Sequence, residues 1–134
     1  GEVTLDVTHC PDLVPPLAVM AALRRGKTAI VGAGRLRFKE SDRLAAVTTT
    51  LNRLGAQVTE REDGLLFEGV DRLRGGVTID CWNDHRIAMM AAVAAIRCEQ
   101  PVTLCGADCV EKSYPTFWED YQMLGGKLSG ILYR

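Results

Sequence analysis

The sequence predicts an α/β (α+β) fold of two βαβαββ units, with helices packed on one face of mixed four-stranded sheets. β-branched, strand-like segments alternate with apolar helical segments along the whole chain, which is typical of strand–helix–strand links. The order also repeats. "VTLDVTHCPD" at 3–12 and "VTIDCWNDHR" at 77–86 both read as a strand leading into an apolar helix. Nearly the same spacing separates Asp6 from Asp80 and Lys39 from Lys112, which indicates duplication.

The first unit, residues 1–72, contains two strand–helix links and a hairpin. Asp12 is expected to cap a helix that has Pro15 and Pro16 in its first turn and ends near Arg24–Gly26. A strand at 28–33 then leads to a helix stopped by Gly55. Four apolar residues of that helix share one face: Leu44, Val47, Leu51 and Leu54. The segments on either side of Asp63-Gly64 predict the hairpin.

The second unit, residues 73–134, repeats this order and is one strand short. The loop "RLRGG" at 72–76 is the expected boundary between the units. The predicted elements, in chain order, are a strand at 77–82, a buried helix at 84–98, a strand at 102–107, a helix at 114–124 stopped by Gly125-Gly126, and a strand at 127–133.

Composition excludes several classes of protein. Of the 134 residues, 47% are hydrophobic and 25% are charged, so a packed core is expected rather than disorder. A net charge of −1 gives no reason to expect nucleic acid or an anionic membrane as a partner. The apolar run at 87–96 is too short to span a bilayer, and we expect no leader segment.

The cysteines favour a cytoplasmic protein. There are five of them, an odd number without paired CxxC spacing, which is typical of free thiols in a reducing compartment. Cys105 and Cys109 with His85 do not have the spacing of a zinc site. We therefore expect no metal and no cofactor.

Charged side chains collect where predicted strands lead into helices. Right-handed crossovers make the flanking strands parallel and bring these junctions to one edge of the sheet. Asp12, Asp42 and Asp84 can be explained as helix caps. Cations near positive helix ends cannot, because such placements are unfavourable by up to about 1 kcal/mol. The cations in question are Lys39, Arg43, Arg86 and Lys112. They predict a site for a phosphorylated or carboxylated metabolite, with Asp12 and Glu40 available to move protons.

Three motifs resemble those of a known protein family. "FKESDRL" (38–44), "NDHRIAM" (83–89) and "EKSYPTFWED" (111–120) closely resemble the carboxy-terminal part of the 5-enolpyruvylshikimate-3-phosphate (EPSP) synthases, as does "CPDLVPPLAVMAAL" (10–23). Members of this family join shikimate 3-phosphate to phosphoenolpyruvate and release phosphate, in the shikimate pathway to aromatic amino acids. The resemblance implies the enolpyruvyl transferase fold, six βαβαββ units in two lobes.

The resemblance also implies a role for each matching residue. Asp12 is the general base toward the 5-hydroxyl of shikimate 3-phosphate, and Lys39 contacts that hydroxyl or the nearby phosphate. Glu40 exchanges the proton at the methylene carbon of phosphoenolpyruvate, with His85 hydrogen-bonded nearby. The phosphoenolpyruvate itself is held by three cations: Arg43 and Arg86 on its carboxylate and Lys112 on its phosphate.

Two features qualify the resemblance. Arg35 stands where many relatives have a smaller polar residue, so a substrate contact there is left open. The family's amino-terminal lobe has no counterpart in this chain, which is therefore expected to be a fragment, inactive alone, with that lobe as its partner. Two alternatives are a UDP-N-acetylglucosamine enolpyruvyl transferase, which lacks these motif strings, and a non-catalytic anion-binding or assembly module of the same fold.

Overall fold

A mixed four-stranded sheet organises the first half of the chain in the computed structural model, which describes residues 1–129. The strands β1 (Glu2–Asp6), β2 (Lys27–Val31), β3 (Gln57–Glu60) and β4 (Leu65–Glu68) lie in the order β1-β2-β4-β3. β1 and β2 are parallel, and the other two pairs are antiparallel. The helices α1 (Val14–Leu23) and α2 (Arg43–Leu54) lie between the strands in the chain. The predicted βαβαββ order of the first unit and its hairpin are confirmed.

The second half contains two short parallel strand pairs and two helices. β5 (Leu73–Gly75) pairs with β7 (Cys98–Gln100), and β6 (Thr78–Asp80) pairs with β8 (Thr103–Cys105). Helix α3 (His85–Ala95) connects β6 to β7, and α4 (Phe117–Met123) follows β8. The parallel β6–β8 pair with α3 between its strands matches the predicted link. Division of the chain into units at residue 72 remains a prediction.

The sequence interpretation was wrong in several details of the second half. β5 lies in the segment interpreted as a loop, and β7 begins at Cys98, inside the predicted helix. These two strands stabilise each other through a parallel ladder between residues distant in sequence, which local periodicity does not reveal. Residues 127–129 are not a strand, and the rest of the strand predicted at 127–133 lies outside the described residues.

Helix α2 follows the sequence prediction closely. Leu44, Val47, Leu51 and Leu54 are all fully buried. Gly55 ends the helix with φ of 116°, a left-handed conformation that favours glycine, and its N–H bonds to the carbonyls of Leu51 and Asn52. Helix α1 ends at Leu23, close to the predicted stop.

The core is shared by the helices and by the inner face of the four-stranded sheet. Ala18 of α1, Leu51 of α2 and Ala91 of α3 belong to one cluster that also contains Ile30 and Phe67 of the sheet. A smaller cluster places Trp118 of α4 against the opposite side of α3. The three longer helices are therefore fixed relative to one another, together with the residues at their N-termini. Among residues 1–129, no helix has the length and apolar character needed to cross a membrane.

We expect Leu51→Ala to lower the free energy of unfolding of the chain by about 2–5 kcal/mol, because it leaves a cavity among buried side chains. Met20 of α1 is 67% exposed, so Met20→Ala is the matched control and should change the free energy by about 0.5 kcal/mol or less. Urea denaturation followed by circular dichroism measures both. Equal losses for the two variants would contradict this packing.

Candidate functional site

The junctions between strands and helices converge at one edge of the molecule. A short 3₁₀ helix, Pro11–Leu13, follows β1, and a second, Gly34–Phe38, follows β2. The N-termini of α2 and α3 lie beside them and are joined by contacts between side chains. Six of the seven predicted site residues are linked by these contacts: Asp12, Lys39, Glu40, Arg43, His85 and Arg86. The predicted convergence of the junctions is thus observed for these six.

Arg43, the first residue of α2, is at the centre of the cluster and only 2% exposed. Its Nε donates to Oδ2 of Asp84 at 2.8 Å, and its Nη2 donates to Oδ1 of the same carboxylate at 3.1 Å. Nη2 also donates to Oε2 of Glu40 at 2.8 Å. Burial lowers the pKa of Arg43, but the bonds and charges of Asp84, Glu40 and Asp12 outweigh burial and raise that pKa above its usual value.

Asp84 is the fully buried partner of Arg43 and the cap of α3. Besides the two bonds from Arg43, its carboxylate accepts from Oγ of Ser41 at 2.7 Å and from the backbone N–H of Arg86 at 3.0 Å. Burial raises the pKa of Asp84, but the hydrogen bonds from Arg43, Ser41 and Arg86 outweigh burial and hold the pKa below its usual range. The buried carboxylate therefore stays charged and ties α2, α3 and the 39–43 segment together.

The backbone just before Asp84 adopts an uncommon conformation. Trp82 and Asn83 have φ of 58° and 48°, which places two consecutive non-glycine residues in the left-handed region. The N–H of Trp82 donates to Oδ1 of Asp80 at 3.0 Å, and the N–H of Asp84 donates to the carbonyl of Cys81 at 3.0 Å. This tight turn separates the end of β6 from the start of α3. It explains why the strand predicted at 77–82 stops at Asp80.

Glu40 and His85 form a pair at the accessible side of the cluster. Nδ1 of His85 lies 3.3 Å from Oε2 of Glu40, the oxygen that also accepts from Arg43. The Glu40 side chain is about half exposed, in contrast to buried Asp84. Glu40 thus combines contact with solvent and two basic partners, which is an arrangement suited to transferring a proton.

Asp12 does not cap α1 as the sequence analysis expected. It lies inside the 3₁₀ helix Pro11–Leu13, so that Leu13 takes the N-cap position of α1. Its carboxylate, 51% exposed, faces three cations instead: Arg43 at 3.5 Å, Lys39 at 3.8 Å and Arg86 at 4.0 Å. These distances exceed that of a good charged hydrogen bond, so the contacts are loose.

Lys112 and Arg35 are exposed and, among residues 1–129, make no ion pair with the cluster. Lys112 ends a third 3₁₀ helix, Ala107–Lys112, after β8, and Arg35 lies in the second one. The structure therefore brings together six of the seven predicted site residues.

Sequence reasoning did not include Asp84 and Ser41 in the site. Asp84 was interpreted as a helix cap, which it is. Its second bonding partner, Arg43, is distant in sequence, so no local pattern could reveal the pair. Glu40, Asp84 and His85 also place potential metal ligands within 4.8 Å of one another. Both carboxylates accept hydrogen bonds from Arg43, whose single positive charge offsets one of their two negative charges.

Comparisons with known proteins agree on one family. The family model described as EPSP synthase (3-phosphoshikimate 1-carboxyvinyltransferase) matches residues 2–121. The 3-phosphoshikimate 1-carboxyvinyltransferase of Clostridium acetobutylicum is 59% identical over 124 residues, which is 92% of this chain and 29% of that protein. Its namesake from Clostridium kluyveri is 52% identical over 126 residues, which is 94% of this chain and 29% of that protein. The chain thus spans less than a third of these relatives' length.

Solved structures give the same result. An EPSP synthase from Acinetobacter baumannii superimposes with a TM-score of 0.83 at 36% identity, covering 90% of this chain and 28% of that one. A second structure of an A. baumannii EPSP synthase gives a TM-score of 0.76 at 32% identity, covering 90% of this chain and 30% of that one.

We expect Asp84→Asn to lower the free energy of unfolding by about 3 kcal/mol at pH 7, because it leaves the buried Arg43 charge poorly compensated. The lowered pKa of Asp84 makes its contribution complete above the unfolded pKa of about 3.9. That contribution is lost as the pH falls through the folded pKa, so the difference between the two proteins should shrink in acid. Urea denaturation from pH 7 down to about pH 2.5 measures it.

Asp71→Asn is the matched control, because Asp71 forms an exposed ion pair with Arg25 at 3.7 Å. Its effect should stay below about 1 kcal/mol at every pH. A loss in Asp84→Asn that is no larger than in this control, or one that grows as the pH falls, would contradict the description of the buried pair.

Proposed function

Because this chain belongs to the EPSP synthase family, we propose that it forms part of an enolpyruvyl transferase acting in aromatic amino acid biosynthesis. The proposed reaction joins phosphoenolpyruvate to shikimate 3-phosphate and releases phosphate. The observation that supports it best is the cluster around Arg43, where cations for anionic substrates lie beside carboxylates for proton transfer. The two relatives at 59% and 52% identity are named 3-phosphoshikimate 1-carboxyvinyltransferases, which disfavours the alternative of a UDP-N-acetylglucosamine enolpyruvyl transferase. A cytoplasmic location is part of the proposal and rests on the odd number of cysteines.

The loose contacts of Asp12 suggest how an anionic substrate enters. The Arg86 side chain is 40% exposed, and its guanidinium lies 4.0 Å from the carboxylate of Asp12. A substrate carboxylate can therefore replace Asp12 as the partner of Arg86 with a small loss of free energy. Arg43 keeps its two bonds to Asp84 and offers the substrate only its Nη1 side, which lies 3.5 Å from Asp12. We propose that the carboxylate of phosphoenolpyruvate binds between these two guanidinium groups.

The remaining cations are assigned to hydroxyl and phosphate groups. Lys39 lies 3.8 Å from Asp12, which suits a contact with the 5-hydroxyl of shikimate 3-phosphate or its nearby phosphate. Lys112 is proposed to bind the phosphate of phosphoenolpyruvate. Among residues 1–129 it makes no ion pair with the cluster, so its phosphate contact is proposed to form when substrate binds.

Proton transfer is assigned to the two accessible carboxylates. Asp12 accepts the proton of the 5-hydroxyl while the oxygen of that hydroxyl bonds to the central carbon of phosphoenolpyruvate. Glu40 delivers a proton to the methylene carbon. The resulting tetrahedral intermediate loses phosphate, which takes up the proton that Asp12 had accepted, and Glu40 removes a proton from the new methyl group to restore the double bond. His85, 3.3 Å from Glu40, holds that carboxylate in place. Each proton transfer of this kind typically contributes about a hundred- to ten-thousandfold in rate.

The substrates need more contacts than this chain supplies. The chain corresponds to 29% of the length of its C. acetobutylicum relative. We propose that the remaining contacts come from the part of the enzyme that corresponds to the rest of that length, the amino-terminal lobe included. The polypeptide alone is then inactive, and phosphate release by it above background would contradict this part of the proposal.

The decisive experiment is a chimera in which this chain replaces the matching 29% of the C. acetobutylicum relative. We expect phosphate release that depends on both shikimate 3-phosphate and phosphoenolpyruvate. Glu40→Gln should lower kcat by about a hundred- to ten-thousandfold, because an amide cannot donate or accept the proton. Glu68→Gln, at an exposed strand end, is the control and should leave kcat unchanged.

A folded but inactive chimera would reject the enzymatic proposal. If it still binds phosphoenolpyruvate in calorimetry, and Arg86→Ala abolishes that binding, the non-catalytic anion-binding alternative is supported. An active chimera in which Glu40→Gln has no effect would reject the proton-transfer role of Glu40.

A further inference from the structure

Arg37 lies outside the cluster but fixes the segment that supplies much of it. Its Nη1 donates to both carboxylate oxygens of Asp42, at 3.0 and 3.1 Å, and to Oε2 of Glu60 at 2.5 Å. Its Nε donates to the carbonyl of Glu62 at 3.2 Å, and its Nη2 donates to the carbonyl of Arg61 at 2.7 Å. All three nitrogens of one guanidinium are thus engaged.

The bond from Arg37 to Asp42 closes a loop around the reactive residues. Asp42 caps α2 by accepting from the N–H of Ala45 at 3.2 Å, so its position is set by the helix. Between Arg37 and Asp42 lie only residues 38–41, and two of these are Lys39 and Glu40. Phe38, 88% exposed, gives this loop no hydrophobic anchor. The ion pair therefore holds the base of the loop, while Ser41 and Glu40 within the loop bond to Asp84 and Arg43.

The hairpin between β3 and β4 supplies the other acceptors of Arg37, which are Glu60, Arg61 and Glu62. Glu60 pairs with Leu65 at the end of the ladder, and the N–H of Arg61 bonds to the carbonyl of Gly64 at 2.9 Å. A further bond runs from the N–H of Ala33 to the carbonyl of Asp63 at 2.7 Å. The turn is thus bonded to itself and to the loop that follows β2, next to the four-stranded sheet, and Arg37 ties the 38–41 loop to this turn.

We propose that Arg37 is a positioning residue that fixes Lys39 and Glu40 for the proposed reaction. Without it, the carboxylates of Asp42 and Glu60 lose their shared cation. Two carbonyls of the hairpin turn lose a donor as well. Lysine cannot replace it, because a single ammonium group lacks the planar fork that reaches all of these acceptors. The proposal rests on the proposed function for its catalytic consequence, but its structural part can be tested separately.

The first test uses the 134-residue chain and hydrogen–deuterium exchange. Arg37→Met and Arg37→Lys should both speed amide exchange in residues 38–42 and 61–64 by about tenfold or more, while exchange within α3 stays unchanged. Arg72→Met is the control, since Arg72 forms an exposed ion pair with Glu99 at 3.3 Å. Unchanged exchange in 38–42, or an equal rise in α3, would overturn the positioning role.

The second test uses the chimera and separates positioning from general destabilisation. Arg37→Lys should lower kcat by about tenfold with a smaller change in KM for phosphoenolpyruvate, because the reacting group is displaced while the arginines remain. In a Glu40→Gln background the same change should have a smaller effect on kcat, since one of the two positioned groups, Glu40, is already lost. An unchanged kcat, or equal effects in both backgrounds, would overturn the proposal. An inactive parent chimera would instead reject the proposed function, and the exchange result would then decide on Arg37.

Discussion

The guanidinium of Arg43 and the carboxylate of Asp84 are buried as a pair where α2 and α3 begin. Burying two charges costs several kcal/mol for each ion, and mutual attraction offsets this only when the geometry is good and the other hydrogen-bonding groups are satisfied. Here the bond is bidentate, and Ser41 and the N–H of Arg86 complete the shell of the carboxylate. Glu40 and His85 lie close to these two residues in the sequence. The distance of 3.3 Å between Glu40 and His85 therefore follows from the buried pair.

This arrangement divides the charged residues into two kinds. Those around Asp84 are saturated with short hydrogen bonds and maintain the architecture. Those around Asp12 are more exposed and meet at 3.5–4.0 Å, where an arriving anion can replace one partner. Arg43 belongs to both groups, since its Nε side faces Asp84 and its Nη1 side faces Asp12. A rigid base beneath an adaptable surface suits the proposed function, in which the site binds two anionic substrates and releases a third anion.

Sequence alone predicted those features that depend on local order. The buried stripe of α2, its stop at Gly55 and the caps Asp42 and Asp84 follow from periodicity and from the chemistry of helix ends. β5 and β7 were missed because three-residue strands gain stability only from a partner distant in the chain. Asp12 was misassigned because a 3₁₀ turn intervenes before α1. Within the site, residue types and positions predicted six of the groups that gather, but not that Arg43 is buried or that Arg37 bonds to the hairpin, since both depend on contacts between distant segments.

The left-handed turn at Trp82 and Asn83 has a consequence for which sequences this position tolerates. For L-residues the conformation costs about 1–2 kcal/mol at each position, and β-branched side chains fit it worst. Asparagine and glycine fit it best, so we expect a β-branched residue at position 83 to destabilise the turn. The conformational strain of this turn thus accompanies the placement of the Asp84 carboxylate in the interior. A more relaxed turn would raise thermal resistance while weakening control over where α3 starts.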